Sequence, residues 1–207
     1  MILFWPFVKR GSPMKTLLER YFKTHKTLCI AEAKNIGISR AMLSYLCSRG
    51  ELERLSWGVY APIGEIPDEL LIISLKSENI IFSHETALAL HKLHNRIPAI
   101  PSFTIPTGSR VPRSLDHAAT VYYIPRRLHG LGRTHVPDFQ GNEVVCYDIE
   151  RTICDIIRSR SRMDIETYVG AVRSYVTSPK RNLPVLFKYA KEMGIEAKVH
   201  NVMEVLV

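Results

Sequence analysis

The sequence predicts an α+β protein in which a small helical module with a two-stranded hairpin precedes a larger, helix-rich mixed α/β domain with a small sheet. Three observations support this fold class. Apolar residues recur at helical spacing within residues 14–49, and short extended runs then flank the dipeptide Trp57-Gly58. A segment rich in Pro and Gly at 62–67 follows, and helix-like and strand-like patterns alternate after it.

Composition excludes several classes of protein. Of 207 residues, 46% are hydrophobic and 23% are charged, which does not fit a disordered, collagen-like or coiled-coil chain. The longest apolar run, Ile2–Val8, contains Pro6 and is too short to span a bilayer. Lys9-Arg10 follows this run, which is the wrong polarity for a signal peptide, so we expect a cytoplasmic protein. The absence of a CxxC pair argues against a disulfide framework or a zinc knuckle, because the four cysteines lie far apart, at Cys29, Cys47, Cys146 and Cys154.

The segment 1–13 is unlike the rest of the chain. An apolar start is followed by Lys9-Arg10-Gly11-Ser12-Pro13, and a second methionine, Met14, comes next. We expect residues 1–13 to be disordered or a mis-assigned start, so fold reasoning begins at Met14.

The first predicted domain covers residues 14–62 and begins with three helices. The first helix starts at Met14 and carries one apolar stripe, formed by Leu17, Leu18, Tyr21 and Phe22. An extended piece at Thr27–Cys29 precedes a second helix at Ile30–Asn35, which Gly37 can end with a positive φ. The third helix runs from Arg40 to Arg49 behind the N-cap Ser39, and its buried stripe consists of Leu43, Leu46 and Cys47.

Two short strands complete this domain. Leu52, Leu55 and Val59, together with the neighbouring aromatic residues, predict a hairpin around the turn at Gly58. Three helices followed by a hairpin, with a tight turn between the second and third helices, is the order of a winged helix-turn-helix domain. The third helix is then the recognition helix.

The second predicted domain, residues 67–207, alternates helices and strands. Asp148 and Asp164 are predicted to cap two of its helices. The predicted strands are Ile80–Phe82, Phe103–Ile105, Thr120–Ile124 and Val144–Tyr147. The predicted helices are Pro67–Glu78, one that opens at Ser83, Ile149–Arg158, Ile165–Val176, Leu183–Met193 and about Lys198–Leu206.

Charge is distributed unevenly along the chain. The net charge is +8, and residues 1–62 alone contain ten basic and four acidic residues, a net +6. The segment 63–95 carries −3, the segment 96–137 carries +5, and residues 138–207 are neutral. Two basic segments separated by an acidic one favour an anionic partner met at two places, most plausibly nucleic acid.

A recognition helix can enter the major groove of DNA with its outward face. Arg40 stands at the helix start, where it can reach a guanine edge or a phosphate, and Tyr45 offers its hydroxyl and ring. Arg49 and Arg54, at the rear of the helix and on the wing, suit backbone phosphates. The full predicted DNA-binding set is Ser39, Arg40, Ser44, Tyr45, Ser48, Arg49 and Arg54. The alternative is a protein-interaction module without specific DNA binding.

The second half contains four further patterns of charged residues and histidines. A second phosphate-binding face is predicted from Arg110, Arg113, Arg126, Arg127 and Arg133, with solvated loop charge as the alternative. Arg151 and Asp155, at i and i+4, are predicted to form a surface ion pair. His84, His91 and His94 lack a partner at zinc-site spacing, so no metal site is predicted. Asp138 and Glu143 suggest a metal-dependent nuclease, but Val145 occupies the position of the required lysine, so we expect no enzyme and no cofactor.

Several motifs resemble one known family. Ile38–Leu43, Arg49–Leu52 and Leu55–Tyr60 look like the winged-helix domain of AbiEi-type antitoxins. Ile80–His91 is similar to the start of that family's C-terminal domain, and Val144–Asp155 is similar to its strand and "ERTxxD" helix. The resemblance spans roughly residues 14–180.

The resemblance implies a component of a type IV toxin–antitoxin system. Such a protein represses its own operon by binding inverted repeats in the promoter, with two copies on the DNA. It also counters a nucleotidyltransferase-like toxin, generally without a stable complex. The resemblance supplies no catalytic residues.

Overall fold

A computed structural model describes residues 13–204 of the chain, and it divides them into two units. The first unit comprises residues 13–72 and 140–142, and the second comprises 73–139 and 143–204. The expectation for residues 1–13 falls outside the described residues except at Pro13, where the first helix begins.

The first unit has the element order that the sequence predicts. Its antiparallel sheet has the strand order β1-β3-β2, so the extended piece before the second helix pairs with the hairpin. The elements are α1 (Pro13–Tyr21), β1 (Leu28–Cys29), α2 (Ile30–Asn35), α3 (Arg40–Ser48), β2 (Leu52–Ser56) and β3 (Val59–Pro62).

One face of each helix in this unit meets a common apolar core. The core residues are Leu18, Leu28, Ala33, Ile38, Leu43, Leu46, Leu52 and Tyr60. One detail of the predicted stripes is wrong, because Leu17 is 43% exposed. In α3, Met42 packs against the core beside Leu43 and Leu46. Both helices carry apolar residues on adjacent positions, and only packing decides which of them is covered.

The second unit is a five-stranded mixed sheet with helices. Its strand order is β6-β5-β4-β8-β7; β4 pairs with β8 and β5 with β6 in parallel, whereas the other two pairings are antiparallel. The strands are β4 (Ile81–Phe82), β5 (Ser102–Pro106), β6 (Thr120–Ile124), β7 (Arg133–Pro137) and β8 (Glu143–Tyr147). The helices are α4 (Glu69–Ser74), which begins in the first unit, α5 (His84–Leu90), α6 (Arg126–His129), α7 (Ile149–Arg158), α8 (Ile165–Thr177), α9 (Leu183–Glu192) and α10 (Glu196–Glu204).

Both predicted aspartate caps are confirmed. Asp148 accepts a hydrogen bond from the backbone N–H of Arg151 at 2.8 Å, and Asp164 accepts one from Thr167 at 2.9 Å. The helix predicted at Pro67–Glu78 is shorter, Glu69–Ser74, because the Asp68 carboxylate accepts from the N–H of Leu71 at 3.0 Å and so marks a later start. Strand β7 and helix α6 had no sequence prediction.

The ion pair between Arg151 and Asp155 is not on the surface as predicted. Both side chains are fully buried, and Arg151 Nε lies 3.1 Å from Asp155 Oδ2. Spacing of i and i+4 places two charges side by side on a helix but does not say which way that side faces. Helix α7 is covered by other elements of its unit, so this pair is part of the interior.

Among the residues that the structure describes, none of the helices combines the length and the apolar character needed to cross a bilayer.

Candidate nucleic-acid interface

Helix α3 turns an exposed polar face away from the core of the first unit. Arg40, Ser44 and Ser48 follow each other at i, i+4 and i+8, and Tyr45 stands beside them with 53% of its surface exposed. At about 100° per residue these positions occupy one side of the helix, opposite the buried Leu43 and Leu46. The predicted outward and inward faces are therefore placed as the sequence indicates.

The N-terminal end of α3 suits an anion. Ser39 Oγ accepts a hydrogen bond from the backbone N–H of Met42 at 3.2 Å, which confirms the predicted cap. That bond uses a lone pair of the hydroxyl, so its hydrogen can still be donated to a phosphate oxygen. The exposed Arg40 follows directly, and the positive end of the helix dipole adds to its charge.

The C-terminal end of α3 is more constrained. Ser48 Oγ donates to the carbonyl of Tyr45 at 2.8 Å, so its hydrogen is used within the helix and the hydroxyl is left as an acceptor. Arg49 Nε lies 3.9 Å from the carboxylate of Glu51, whose side chain is 4% exposed. This ion pair ties the exposed Arg49 side chain to the first residues of the wing.

The wing places a second arginine next to this helix. Arg54 is exposed, and its Nε donates to the carbonyl of Ser56 at 3.2 Å, so the side chain lies along the hairpin. Burial raises the pKa of the Cys47 thiol, and the positive charge of Arg54 partly offsets that effect.

The tip of the wing carries a residue that sequence reasoning did not assign to the site. Trp57, in the two-residue turn between β2 and β3, is 75% exposed. The signal in the sequence was its place in the predicted turn, because turns and loops lie at the protein surface.

Charges of opposite sign are sorted between surface and interior within residues 40–56. All three arginines of this stretch, Arg40, Arg49 and Arg54, are exposed, whereas Glu51 is buried and Glu53 is half-buried. This sorting leaves a net positive, solvent-facing surface around α3 and the wing, which is what a polyanion requires.

The predicted second basic face is distributed over several elements of the second unit. All five arginines are exposed: Arg110, Arg113, Arg126, Arg127 and Arg133. The first four emerge in or after the connections that follow β5 and β6, two parallel neighbours whose ends lie at the same edge of the sheet. The fifth, by contrast, begins β7 at the opposite margin of the sheet. Arg127 Nη1 also lies 3.5 Å from the carbonyl of Glu192 at the end of α9, where a cation complements the helix dipole.

The histidines considered for a metal site contact protein groups. His91 Nε2 lies 2.6 Å from the carbonyl of Tyr147, and His94 Nδ1 accepts from the N–H of Arg96 at 3.1 Å. His84 is fully buried, with its ring nitrogens 2.9 Å and 3.0 Å from the hydroxyls of Ser83 and Ser159. Within residues 13–204 no group of three or more His, Cys, Asp or Glu side chains is arranged to hold a metal ion.

The first unit, with its three helices, its three-stranded antiparallel sheet and the exposed polar face of its third helix, defines a winged helix-turn-helix domain. Residues 18–63 match the model of the family described as "Transcriptional regulator, AbiEi antitoxin". This match confirms, for residues 18–63, the resemblance to AbiEi-type antitoxins and transcriptional regulators seen in the sequence.

A solved structure shares the fold of almost the whole chain. It is the crystal structure of the RV2827C protein from Mycobacterium tuberculosis, with a TM-score of 0.50 and 14% sequence identity, covering 92% of this chain and 80% of that one. No curated protein matches the sequence.

Proposed function

We propose that this chain is a DNA-binding autorepressor and the antitoxin of a type IV toxin–antitoxin system in the cytoplasm. Two copies bind inverted repeats in their own promoter through α3 and the wing. The chain also counters a nucleotidyltransferase-like toxin without forming a stable complex with it.

The sorted charge around α3 is the observation that carries the DNA-binding part. Arg40, Ser44 and Tyr45 face solvent together on a helix short enough to lie in a major groove, and Ser39 holds its first turn. Arg49 at the end of that helix and Arg54 on the wing are both exposed, and we assign them to phosphate contacts. The match over residues 18–63 covers this helix and the wing and supports a regulator.

Gel mobility shift with the promoter fragment of its own gene tests this assignment. Arg40→Ala should weaken specific binding by about five- to 150-fold, the 1–3 kcal/mol typical of one direct base contact. Tyr45→Ala should weaken it in the same direction. The matched controls are Arg173→Ala and Tyr123→Ala, which remove an exposed arginine and a 50% exposed tyrosine from the second unit. Equal, sequence-specific binding by all four variants contradicts the recognition-helix assignment.

Salt dependence separates phosphate contacts from base contacts. Each lost phosphate contact should reduce the slope of log affinity against log salt by about 0.9. We expect this change for Arg49→Ala and Arg54→Ala. If the second basic face also touches DNA, Arg110→Ala and Arg126→Ala should lower the slope as well, whereas solvated loop charges leave it unchanged.

The antitoxin part requires an experiment in cells. Co-expression with the nucleotidyltransferase-like toxin encoded beside this gene should restore growth. Because the proposed neutralisation involves neither promoter binding nor a stable complex, Arg40→Ala should lose repression yet still restore growth. Failure of the wild-type chain to restore growth removes the antitoxin function and leaves the regulator.

A protein-interaction module is the second candidate, and the exposed aromatic rings favour it. Tyr45 and Trp57, with 53% and 75% of their surfaces exposed, belong to residue types enriched at protein interfaces. Stable co-purification of a neighbouring gene product, lost in Tyr45→Ala, together with no DNA affinity at low salt, supports this reading over the first.

A further inference from the structure

We propose that the indole of Trp57 inserts against a base step in the minor groove of the bound duplex, so that the wing bends the DNA that α3 reads. The inference rests on the proposed DNA-binding function. It adds a wedge that acts through stacking, whereas the arginines around it act through charge.

The wing tip is held in a fixed conformation. The backbone N–H of Ile30, the first residue of α2, donates to the carbonyl of Gly58 at 3.1 Å. Gly58 has a φ of +81°, and a Cβ at this position would lie 3.2 Å from Ile30 Cδ1. The turn is thus hydrogen-bonded to the start of α2, its positive φ favours glycine, and the neighbouring Trp57 is 75% exposed.

The hairpin that carries the indole also carries Arg54. The strand pairing shifts register between Arg54 and Ser56, a bulge that twists the hairpin near its tip. Arg54 Nε donates to Ser56 O, which keeps the guanidinium within the same turn of chain as Trp57. An aromatic ring and an arginine on a narrow, rigid tip match a narrow groove of strongly negative potential.

Duplex DNA is the occupant that the surrounding charge favours. The segment that contains this wing has a net charge of +6, and the acidic residues nearest the wing, Glu51 and Glu53, are buried or half-buried. A minor-groove protein typically inserts an apolar side chain between base pairs and kinks the duplex toward the major groove. Every base has a π-face, so the stacking contact does not require a particular base. The ease of bending, by contrast, depends on which two base pairs form the step.

Fluorescence reports on this side chain directly. The chain has two tryptophans, Trp5 and Trp57, so Trp5→Phe leaves the wing indole as the sole tryptophan emitter. Titration of this variant with the promoter fragment should quench its emission and reduce its accessibility to acrylamide. Trp57→Ala should lose about five- to 100-fold in affinity and leave the salt slope unchanged, since no phosphate contact is removed. Arg54→Ala should instead lower the slope.

A bending assay completes the test. End-to-end energy transfer across the labelled promoter fragment should show a smaller bend with Trp57→Ala, and Trp57→Phe should keep part of it because a flat ring remains. The wedge is wrong, and the autorepressor stands, if three results come together. The wild type binds the fragment, the emission of Trp5→Phe does not change on binding, and Trp57→Ala keeps the affinity and the bend of the wild type. Absence of wild-type binding removes the proposed function itself. Quenching that grows with protein concentration without DNA places the indole between two copies and overturns the wedge.

Discussion

Removing the buried guanidinium of Arg151 should be among the most damaging single changes in the second unit. Its Nε lies 3.1 Å from the Asp155 carboxylate, and its Nη1 donates to the carbonyls of Leu128 at 2.9 Å and Leu131 at 2.7 Å. The guanidinium carbon also lies 4.0 Å from the centre of the Tyr147 ring. One side chain thus joins α7 to the segment that follows α6.

The magnitude follows from what Arg151→Met would leave behind. The buried Asp155 carboxylate would keep only Arg158, whose Nη2 lies 3.6 Å from its Oδ1, so the variant loses part of the about 3–5 kcal/mol that a fully uncompensated buried charge costs. Each buried carbonyl left without a donor adds about 1–3 kcal/mol. The expected loss is therefore on the order of 3–5 kcal/mol, a large fraction of the stability of a typical domain. Asp155→Asn keeps both carbonyl contacts, so its loss should be smaller.

Urea unfolding followed by far-ultraviolet circular dichroism measures both variants. Arg173→Met is the control, because this exposed arginine should change stability by less than about 0.5 kcal/mol. If Arg151→Met does not fold, Arg151→Lys keeps the charge but cannot reach all three acceptors, and it should show an intermediate loss. The reasoning is refuted if Arg151→Met unfolds at the same urea concentration as the control, or if Asp155→Asn is the more damaging change.

Three further changes have outcomes set by local geometry. Burial, reinforced by nearby guanidinium charges, holds the pKa of His84 well below its usual value. Only the unfolded state then takes up this proton below about pH 6.5, so the free energy of unfolding of the wild type is highest above that pH and falls below it by up to about 1.4 kcal/mol per pH unit. His84→Asn should lack this fall, and a variant whose stability falls with pH in the same way as that of the wild type contradicts the assignment to His84. Gly132→Ala, where φ is +73° and a Cβ would lie 2.5 Å from that of Arg151, should lose at least about 1 kcal/mol in urea unfolding, whereas Gly130→Ala, with open space, should not. Ser39→Ala should lower the free energy of unfolding by about 0.5–2 kcal/mol, whereas Ser39→Asp should keep most of the wild-type value because aspartate also caps helices. Equal urea midpoints for Ser39→Ala and the wild type would contradict the capping contact.

The recognition helix could be predicted because its signals are local. Ser39 at the cap and the alternation of Leu43 and Leu46 with polar positions specify where α3 begins and which side it buries. The cap bonds a backbone N–H three residues away, and the stripe repeats within two turns, so neither depends on the rest of the fold. The roles assigned to the outward residues toward DNA stay predictions.

Strand β7 and the setting of Arg151 could not be predicted for the opposite reason. Arg133 and His135 in β7 are exposed, so this edge strand lacks the apolar alternation that identifies a half-buried strand, and it exists because β8 pairs with it. The carbonyls that Arg151 binds lie 20 and 23 positions earlier in the chain. No periodicity in the sequence marks such a distant pairing.

The amino-acid order alone determined the helix-turn-helix, its caps and the excess of positive charge along it, because each is encoded within a few neighbouring residues. The tertiary structure decided that Trp57 is held outward at a rigid hairpin tip and that the charges of Arg151 and Asp155 are enclosed. Whether a side chain is exposed depends on which other segments pack over it. That packing is selected by the sum of many contacts between residues that are far apart in the chain.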